Sequence, residues 1–249
     1  MIPRAFILAL QLLTRLPVPS SATQPKPEEL GLSVLFFPAI GLLIGTLLAG
    51  LHTALWLIDS GVLAALVLVI WVLLTGGLHL DGLADTADAW IGGIGDRDRT
   101  LAIMKDPRSG PMAVVVIVLV LLTKFATLQV LLAGDARTLL LLAPVLGRSA
   151  IVLLLVTTPY VRPDGLGAPY ANYLPRLSCV ALVALVALAT IGLLGWQDGG
   201  VLLGILAGGF FSMRYWLLTR LGGTTGDTLG AACELTETIV LLIPALLLE

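Results

Sequence analysis

The chain has 249 residues, of which 58% are hydrophobic and only 12% are charged, and its mean hydropathy is +1.03. Soluble domains have about 45–50% apolar and about 25% charged residues, and a soluble core of this length cannot bury so much apolar surface. The net charge of −2 argues against the basic surface of a nucleic-acid-binding protein. The composition therefore predicts a membrane protein, with lipid covering much of its surface.

The first predicted element is a short apolar helix near the N-terminus. Arg4 precedes the apolar run 5–13, an arrangement that resembles a signal peptide. However, Thr14 and Arg15 follow directly, without a small-residue cleavage motif. A run of about 9–12 apolar residues is also too short to cross a bilayer. We therefore predict an interfacial or re-entrant helix that is retained in the protein.

Seven longer apolar segments follow this helix. Crossing a bilayer takes about 20 mostly apolar residues. The predicted spans are Leu32–Ile58, Val62–Leu78, Met112–Leu132, Thr138–Thr158, Leu177–Leu194, Val201–Leu218 and Leu229–Leu248. The second and fifth are short and the last contains acidic residues, so six or eight spans remain open. The predicted fold is an all-α polytopic membrane helix bundle of about seven transmembrane helices plus the N-terminal helix, in a single domain over residues 1–249.

Two glycine pairs within these spans have the spacing that lets helices pack closely. They are Gly41-x-x-x-Gly45 in the first span and Gly204-x-x-x-Gly208 in the sixth. Small residues at this spacing allow two helix backbones to approach each other. The spacing alone does not say which helix packs against either pair.

Basic residues orient the predicted bundle. Those before the first span and in the loops on the same side are Arg4, Arg15, Lys26, Arg97, Arg99, Lys105, Arg108, Arg162, Arg176 and Arg220, whereas the alternate loops contain only Arg137. Basic loops of bacterial membrane proteins stay in the cytoplasm. We therefore predict a multi-pass protein of the bacterial inner membrane, with its N-terminus in the cytoplasm and its C-terminus outside.

The first acidic cluster lies in the segment 76–90. Asp81, Asp85 and Asp88 are spaced i, i+4, i+7, so on an α-helix they lie within about 60° of one another. A cation would relieve their repulsion, and oxygen ligands without a histidine–cysteine set favour Mg²⁺ or Mn²⁺. The alternative is a solvated acidic face, which the small apolar neighbours disfavour. His79 is either a structural histidine or a general base, phosphate donor or hydrogen-bonding group.

The second acidic cluster follows a glycine- and threonine-rich run, 222–226. Asp227, Glu234 and Glu237 fall within an arc of about 80° on a helix. The free N–H groups at the start of that helix suit a phosphate or another anion. The alternative is that Thr225 or Asp227 only caps the helix. Glu234 and Glu237 continue along an apolar span, where ionisable residues usually have a function.

Both clusters fall at the predicted cytoplasmic ends of their helices, so they can face one membrane-embedded cleft. Lys105 and Arg108, between the clusters in sequence, are candidates for binding phosphate, and the alternative is that they only orient the chain. Arg148 lies at mid-span and is predicted to face the bundle interior and to pair with an acid or a phosphate. Carboxylates for a metal together with cations for phosphate are the groups that phosphoryl transfer uses.

These motifs resemble those of the cobalamin synthase family, the adenosylcobinamide-GDP ribazoletransferases, over essentially the whole length. The specific pair is Gly-Gly-x-His-Leu-Asp-Gly-Leu-Ala-Asp, at 76–85, and Thr-Gly-Asp-Thr-Leu-Gly-Ala, at 225–231. Further matches lie at 14–17 and in the segment 103–110.

The resemblance implies a phosphotransferase that joins adenosylcobinamide-GDP to α-ribazole, or to its 5′-phosphate. The products would be adenosylcobalamin, or its 5′-phosphate, and GMP, with Mg²⁺ as cofactor. The expected partners are these substrates and membrane lipid, without nucleic acid. Whether the chain forms a homo-oligomer or a complex with other cobalamin-assembly enzymes is left open.

We assign the candidate site residues by combining the resemblance with the residue chemistry. The expected metal ligands are Asp81, Asp85, Asp88, Asp227, Glu234 and Glu237. The expected catalytic residues are His79, Asp81, Asp85 and Asp227. The expected contacts to substrate phosphate are Lys105, Arg108, Arg148 and Thr225.

Two other functions are considered. A CDP-alcohol phosphotransferase would use the same chemistry on a lipid-like acceptor, but its acidic motif has an Ala-Arg step where this chain has Ala84-Asp85. An ion-coupled transporter also has intramembrane carboxylates. Its usual inverted repeat is not evident in the sequence, and the acidic residues cluster at one side.

Overall fold

The computed structural model describes residues 2–18 and 23–247, and its regular structure is helical throughout these residues. The helices are α1 (Ile2–Leu13), α2 (Pro27–Ser33), α3 (Phe37–Ala54), α4 (Ser60–Thr75), α5 (Leu78–Gly92), α6 (Arg97–Ile103), α7 (Pro111–Leu131), α8 (Arg137–Thr157), α9 (Ala168–Tyr173), α10 (Arg176–Leu194), α11 (Trp196–Leu221) and α12 (Gly226–Leu247). A short 3-10 turn, Val34–Phe36, joins α2 to α3. An isolated parallel bridge between Tyr160 and Thr224 is the only β-type pairing in these ranges.

The described part of the chain has six helical segments that are long and apolar enough to cross a membrane. They are Pro27–Ala54, Pro111–Leu131, Arg137–Thr157, Arg176–Leu194, Trp196–Leu221 and Gly226–Leu247, and α4 with α5 makes a seventh if the bent pair counts as one span. The predicted all-α polytopic bundle is therefore confirmed. The predicted end of the last span, Leu248, lies outside the described residues.

Two consecutive glycines separate α4 from α5. Gly76 and Gly77 have φ values of 65° and 70°, in the left-handed region that glycine adopts without a steric cost. The two helices consequently meet at 88°. The predicted second span therefore ends early, at Thr75, and the first acidic cluster lies on a separate helix that runs across the end of α4.

The predicted N-terminal helix is confirmed as α1, which packs against α2 and α3. The side chains of Ala9 and Leu13 are buried in this contact. Arg4 lies 3.3 Å from the carboxylate of Glu29 on α2, which ties the start of the helix to the bundle.

One of the two glycine pairs mediates close packing between helices. A Cβ atom at Gly41 would lie 2.4 Å from the carbonyl oxygen of Pro144, and one at Gly45 would lie 2.7 Å from that of Leu140. The predicted close packing is confirmed for this pair, which allows α3 to lie directly on α8. A Cβ atom at Gly204 or at Gly208 would meet nothing within 4 Å among the described residues, so the second pair mediates no close helix packing there.

Helix α12 forms the centre of the bundle and packs against α5, α7 and α8. Helices α10 and α11 lie outside it, with large apolar side chains such as Leu188, Phe211 and Trp216 exposed. The loops that carry the predicted functional residues meet at one end of the bundle. Arg97, for example, donates a hydrogen bond of 2.7 Å to the carbonyl oxygen of Leu221 at the end of α11.

Candidate active site

A cleft of about 310 Å³ opens at this end of the bundle, where α1, α3, α5, α8 and α12 converge. Its polar side is formed by His79, Asp81, Gly226 and Asp227. Its apolar side is formed by Leu12, Leu13, Phe37, Ile151, Leu155, Leu166 and Tyr170. We call this cavity the acidic cleft.

Glycines in both acidic motifs allow α5 and α12 to touch beside this cleft. A Cβ atom at Gly82 would lie 2.7 Å from the carbonyl oxygen of Asp227, and one at Gly230 would lie 3.2 Å from the Cα atom of His79. Any side chain at either position would push the helices apart. The close contact brings Asp81 and Asp227, one from each motif, to the same cleft, as the sequence predicted.

The two aspartates on the exposed part of α5 have free carboxylates. Asp81 is exposed and Asp85 half-buried one turn further along. Neither has a hydrogen-bond or ion-pair partner among the described residues. Asp85 is close enough to Asp81, Asp227 and Asp88 to be repelled electrostatically by all three. Free oxygen ligands in a field of like charge are the arrangement that a hard divalent cation stabilises.

Asp88, the third predicted aspartate ligand on α5, has a different role. Its Oδ1 atom accepts a hydrogen bond of 2.9 Å from the N–H of Ala113, and its Oδ2 atom accepts one from the N–H of Gly110. These N–H groups belong to the start of α7, where backbone donors lack partners within the helix. Asp88 therefore caps α7, and its assignment as a metal ligand stays a prediction.

Glu234 and Glu237 lie in a separate buried cluster. Lys124 on α7 places its Nζ atom 2.6 Å from Glu234 and 2.7 Å from Glu237. Arg148 on α8 donates to the other oxygen of Glu237, and the ammonium group of Lys124 also lies 4.7 Å from the ring centroid of Trp71. We call Lys124, Arg148, Glu234 and Glu237 the buried charge cluster.

The two cations of this cluster neutralise Glu234 and Glu237, and neither carboxylate lines the acidic cleft. The assignment of these two residues as metal ligands stays a prediction. Arg148 faces the interior and pairs with an acid, as predicted, but it is fully buried and does not line the acidic cleft. Its contact with substrate phosphate also stays a prediction.

Thr225 caps α12, which was the alternative to binding phosphate. Its hydroxyl accepts a hydrogen bond of 3.3 Å from the N–H of Thr228, and its own N–H donates one of 2.8 Å to the hydroxyl of Thr228. Thr225 is fully buried. The side chain does not line the acidic cleft, and its contact with phosphate stays a prediction.

Lys105 and Arg108 lie outside the acidic cleft. The guanidinium group of Arg108 makes hydrogen bonds of 2.9 and 2.6 Å to Asp106. These hydrogen bonds lower the pKa of the Asp106 carboxyl to about 2, so the pair stays ionised near neutral pH. Arg108 is consequently already paired in a neighbouring cleft, beside Asp88. Lys105 is exposed. Contact of either residue with phosphate stays a prediction.

Arg162, which the sequence analysis counted only as a basic loop residue, lies beside the acidic cleft. Its Nη1 atom is 2.7 Å from the carboxylate of Asp227. Its Nε and Nη2 atoms are buried and have no hydrogen-bond partner among the residues that the structure describes. Unpaired buried donors are costly, so this guanidinium group suits an additional anionic partner.

The loop that carries Arg162 is fixed in position by its neighbours. Thr224 donates a backbone hydrogen bond of 2.7 Å to Pro159, and Val161 donates one of 2.9 Å to Thr224. Gly223 allows this approach, since a Cβ atom there would lie 2.1 Å from the Pro159 carbonyl oxygen. Burial raises the pKa of the Tyr160 phenol, which therefore stays protonated beside Gly167.

His79 is buried on the side of the cleft where α5 touches α12. Its Nδ1 atom has no hydrogen-bond partner in the described part of the chain. The imidazole lines the cleft next to Asp81 and Gly230. A buried imidazole nitrogen without a partner is available to bind or move a proton of a ligand in the cleft.

The fold and the cleft define a polytopic helical membrane protein with clustered aspartates and a partly paired guanidinium group at one end of its bundle. The sequence profile of the cobalamin-5-phosphate synthase family matches residues 5–245. The chain belongs to this family, which confirms the resemblance noted in its motifs.

Individual relatives match over nearly their whole lengths. An adenosylcobinamide-GDP ribazoletransferase of Pseudomonas syringae pv. syringae is 54% identical over 242 residues, covering 97% of this chain and 99% of the relative. Proteins of the same name from Pseudomonas fluorescens and Pseudomonas aeruginosa are 54% and 51% identical, each covering 98% of the relative. No solved structure matches the chain.

Proposed function

We propose that this chain transfers the cobinamide phosphoryl group of adenosylcobinamide-GDP to α-ribazole, or to its 5′-phosphate, and releases GMP. The observation that supports this function best is the convergence of Asp81, Asp227 and Arg162 at one cleft of a chain that belongs to the cobalamin-5-phosphate synthase family. The activity of the named relatives supports the choice of substrates. Release of GMP that depends on both substrates is the experiment that tests the proposal.

The two sides of the acidic cleft suit the two parts of this reaction. The aromatic benzimidazole of α-ribazole is apolar and fits the side formed by Leu13, Phe37 and Tyr170. The ring centroids of Phe37 and Tyr170 lie 6.2 Å apart, and the half-buried ring of Tyr170 is the one with surface left for stacking. The ribazole hydroxyl would then lie toward the polar side, where the pyrophosphate of the corrinoid nucleotide is expected.

A divalent metal fits the oxygen ligands of the polar side if substrate phosphate completes the site. No three histidine, cysteine or acidic side chains in the described ranges converge closely enough to bind a metal by themselves. Mg²⁺ is nevertheless commonly held by one or two carboxylates together with phosphate oxygens and water. Asp81 and Asp85 would hold it, with Asp227 opposite them. When bound, the metal neutralises charge on the pyrophosphate.

The side chains of the cleft supply positioning and proton transfer. The ribazole hydroxyl oxygen attacks the phosphorus attached to cobinamide, a new P–O bond forms, and the bond to GMP breaks with its electrons on the departing phosphate. Arg162 would bind a phosphate oxygen through Nε and Nη2. The hydroxyl proton would pass to an aspartate of the cleft or to His79. The apolar side of the cleft would exclude water and so favour attack by the ribazole hydroxyl over attack by water.

Replacing Arg162 by glutamine is expected to lower turnover by about 10²–10³-fold, the usual cost of removing one donor to a transferring group. The change also leaves Asp227 without its partner, so Arg162→Lys is a useful second variant. It keeps the charge next to Asp227 but removes the forked donors that bind phosphate. GMP release by the full chain in membranes, at protein amounts matched by immunoblot, measures both effects.

A matched control is Arg99→Gln, because Arg99 is exposed on α6 and away from the cleft. It should retain nearly full turnover. Equal activity of the Arg162→Gln variant and the control would exclude phosphate binding by Arg162. If Arg108→Gln lowers turnover instead, Arg108 rather than Arg162 binds the substrate phosphate.

The acidic cleft is proposed to face the cytoplasm, because the loops at its end contain nearly all the basic loop residues. Single Ser109→Cys and Asp198→Cys changes test this in a chain in which Cys179 and Cys233 are replaced by alanine. Both introduced positions are exposed, one at each end of the bundle. An impermeant maleimide should label position 198 in intact spheroplasts and position 109 only after permeabilisation. The reverse pattern would contradict the proposed orientation.

A further inference from the structure

A second cavity, of about 360 Å³, lies between α5, α7, α11 and α12 on the outer side of the bundle. Its lining is almost entirely apolar and includes Leu83, Trp90, Met112, Met213, Trp216 and Leu235. We call this cavity the lateral groove. It shares no lining residue with the acidic cleft.

The lateral groove lies on the surface that lipid is expected to cover. On α11, Trp216 lines the groove and is exposed, whereas Phe211 and Tyr215 are exposed elsewhere on the same helix. An apolar groove at this place favours a hydrocarbon chain over water. The lining also includes Thr86, whose buried hydroxyl has no hydrogen-bond partner in the structure as described.

A positively charged side chain, that of Arg220, lies at the end of the groove nearest the loops. The guanidinium group of Arg220, in the last turn of α11, lies 4.5 Å from the ring centroid of Trp90. Trp90 in turn stacks on Trp216, with ring centroids 5.7 Å apart. The Nε and Nη2 atoms of Arg220 are buried and have no hydrogen-bond partner within residues 2–18 and 23–247. These donors are oriented by the stacked rings but are not used by the protein.

We propose that the lateral groove binds one anionic phospholipid, with an acyl chain between α5 and α11 and the headgroup phosphate on Arg220. A basic group at the loop end of an apolar groove between membrane helices is the arrangement that recognises such headgroups. The phosphate would satisfy the unpaired donors of Arg220, and the chain would fill the apolar cavity. A free phosphate ion would leave the cavity unfilled, so the phospholipid matches more of the site.

The site is separate from the proposed transferase reaction and can be tested without turnover. The full chain, purified in detergent, is mixed with equal amounts of phosphatidylglycerol and phosphatidylcholine and examined by native mass spectrometry. One phosphatidylglycerol should remain bound per chain, in preference to phosphatidylcholine by about tenfold or more, because both lipids carry the phosphate but the choline cation of phosphatidylcholine is repelled by the guanidinium group of Arg220. Equal retention of the two lipids by the unmodified chain would overturn the proposal.

Two variants examine the two halves of the site. Arg220→Gln should lose the preference for phosphatidylglycerol, whereas Arg99→Gln, with the same change of charge at the same end of the bundle, should keep it. Ser212→Leu fills the groove from α11 without changing charge and should reduce retention of the lipid. Unchanged retention of phosphatidylglycerol in both the Arg220→Gln and the Ser212→Leu variants would contradict the assignment. A dimer in which the second chain covers the groove would contradict it as well.

Discussion

Replacing either Asp81 or Asp227 by asparagine is expected to lower turnover by about 10³-fold, because each change removes one negative charge from a group proposed to hold the metal and the pyrophosphate together. Asparagine keeps the size of the side chain. The double variant should be little worse than the poorer single variant, since residues that act as a unit are grossly non-additive. GMP release from membranes with matched protein levels measures all three.

The control for this experiment is Asp198→Asn, an identical chemical change at an exposed position at the other end of the bundle. It should leave turnover nearly unchanged. If the losses at Asp81 and Asp227 instead add in free energy, the two residues act independently, as uncoupled sites do. That result would contradict one shared site in the acidic cleft.

Replacing Glu237 by glutamine is expected to destabilise the chain by about 3–5 kcal/mol, the usual cost of leaving a buried ion-pair partner uncompensated. Lys124 and Arg148 would then share the single carboxylate of Glu234. The corresponding fall in Tm is about 6–20 °C for a chain of this size. A thiol-reactive fluorophore can follow unfolding of the detergent-purified protein, because Cys179 and Cys233 are free and buried.

The control is a double-mutant cycle with Arg148→Gln. Removing Arg148 and Glu237 together leaves the Lys124–Glu234 pair intact and balanced, so the double variant should be more stable than the sum of the single losses predicts. If Glu237 is instead a metal ligand, as its position in the sequence predicts, Glu237→Gln should abolish turnover at an unchanged Tm. That outcome would favour the role of Glu237 as a metal ligand.

The sequence predicted which residues lie on one helix face but not what lies opposite that face. The spacing of Asp227, Glu234 and Glu237 places them on one side of α12, as found. Their partners come from other helices: Arg162 from a loop, and Lys124 and Arg148 from α7 and α8. Helical periodicity contains no information on those tertiary contacts, so the six acidic residues looked like one site.

Local hydrogen bonds account for the remaining differences between the predicted and the observed positions of side chains. Asp88 and Thr225 have side chains that serve equally well as ligands or as helix caps, and only the position of a neighbouring helix start distinguishes the two roles. The double glycine at 76–77 was recognisable as part of a motif. Its 88° bend was not, because the φ values of glycine are not fixed by its neighbours in sequence.

Arg162 was missed for a different reason. It was one of ten basic residues in loops on one side of the bundle, and the residues around it do not distinguish it from the others. Its role follows from the contact between Gly223 and Pro159, which places this loop at the start of α12. A contact of that kind joins segments that are distant in the chain and has no local signature.

The proposed transfer is tested most directly by release of GMP from adenosylcobinamide-GDP by the purified full chain in lipid vesicles. We predict GMP release, with formation of the corresponding cobalamin product, only when α-ribazole or its 5′-phosphate and Mg²⁺ are both present, and its loss in excess chelator. Release of GMP without ribazole, undiminished turnover in chelator, or no release with all components present would contradict the account.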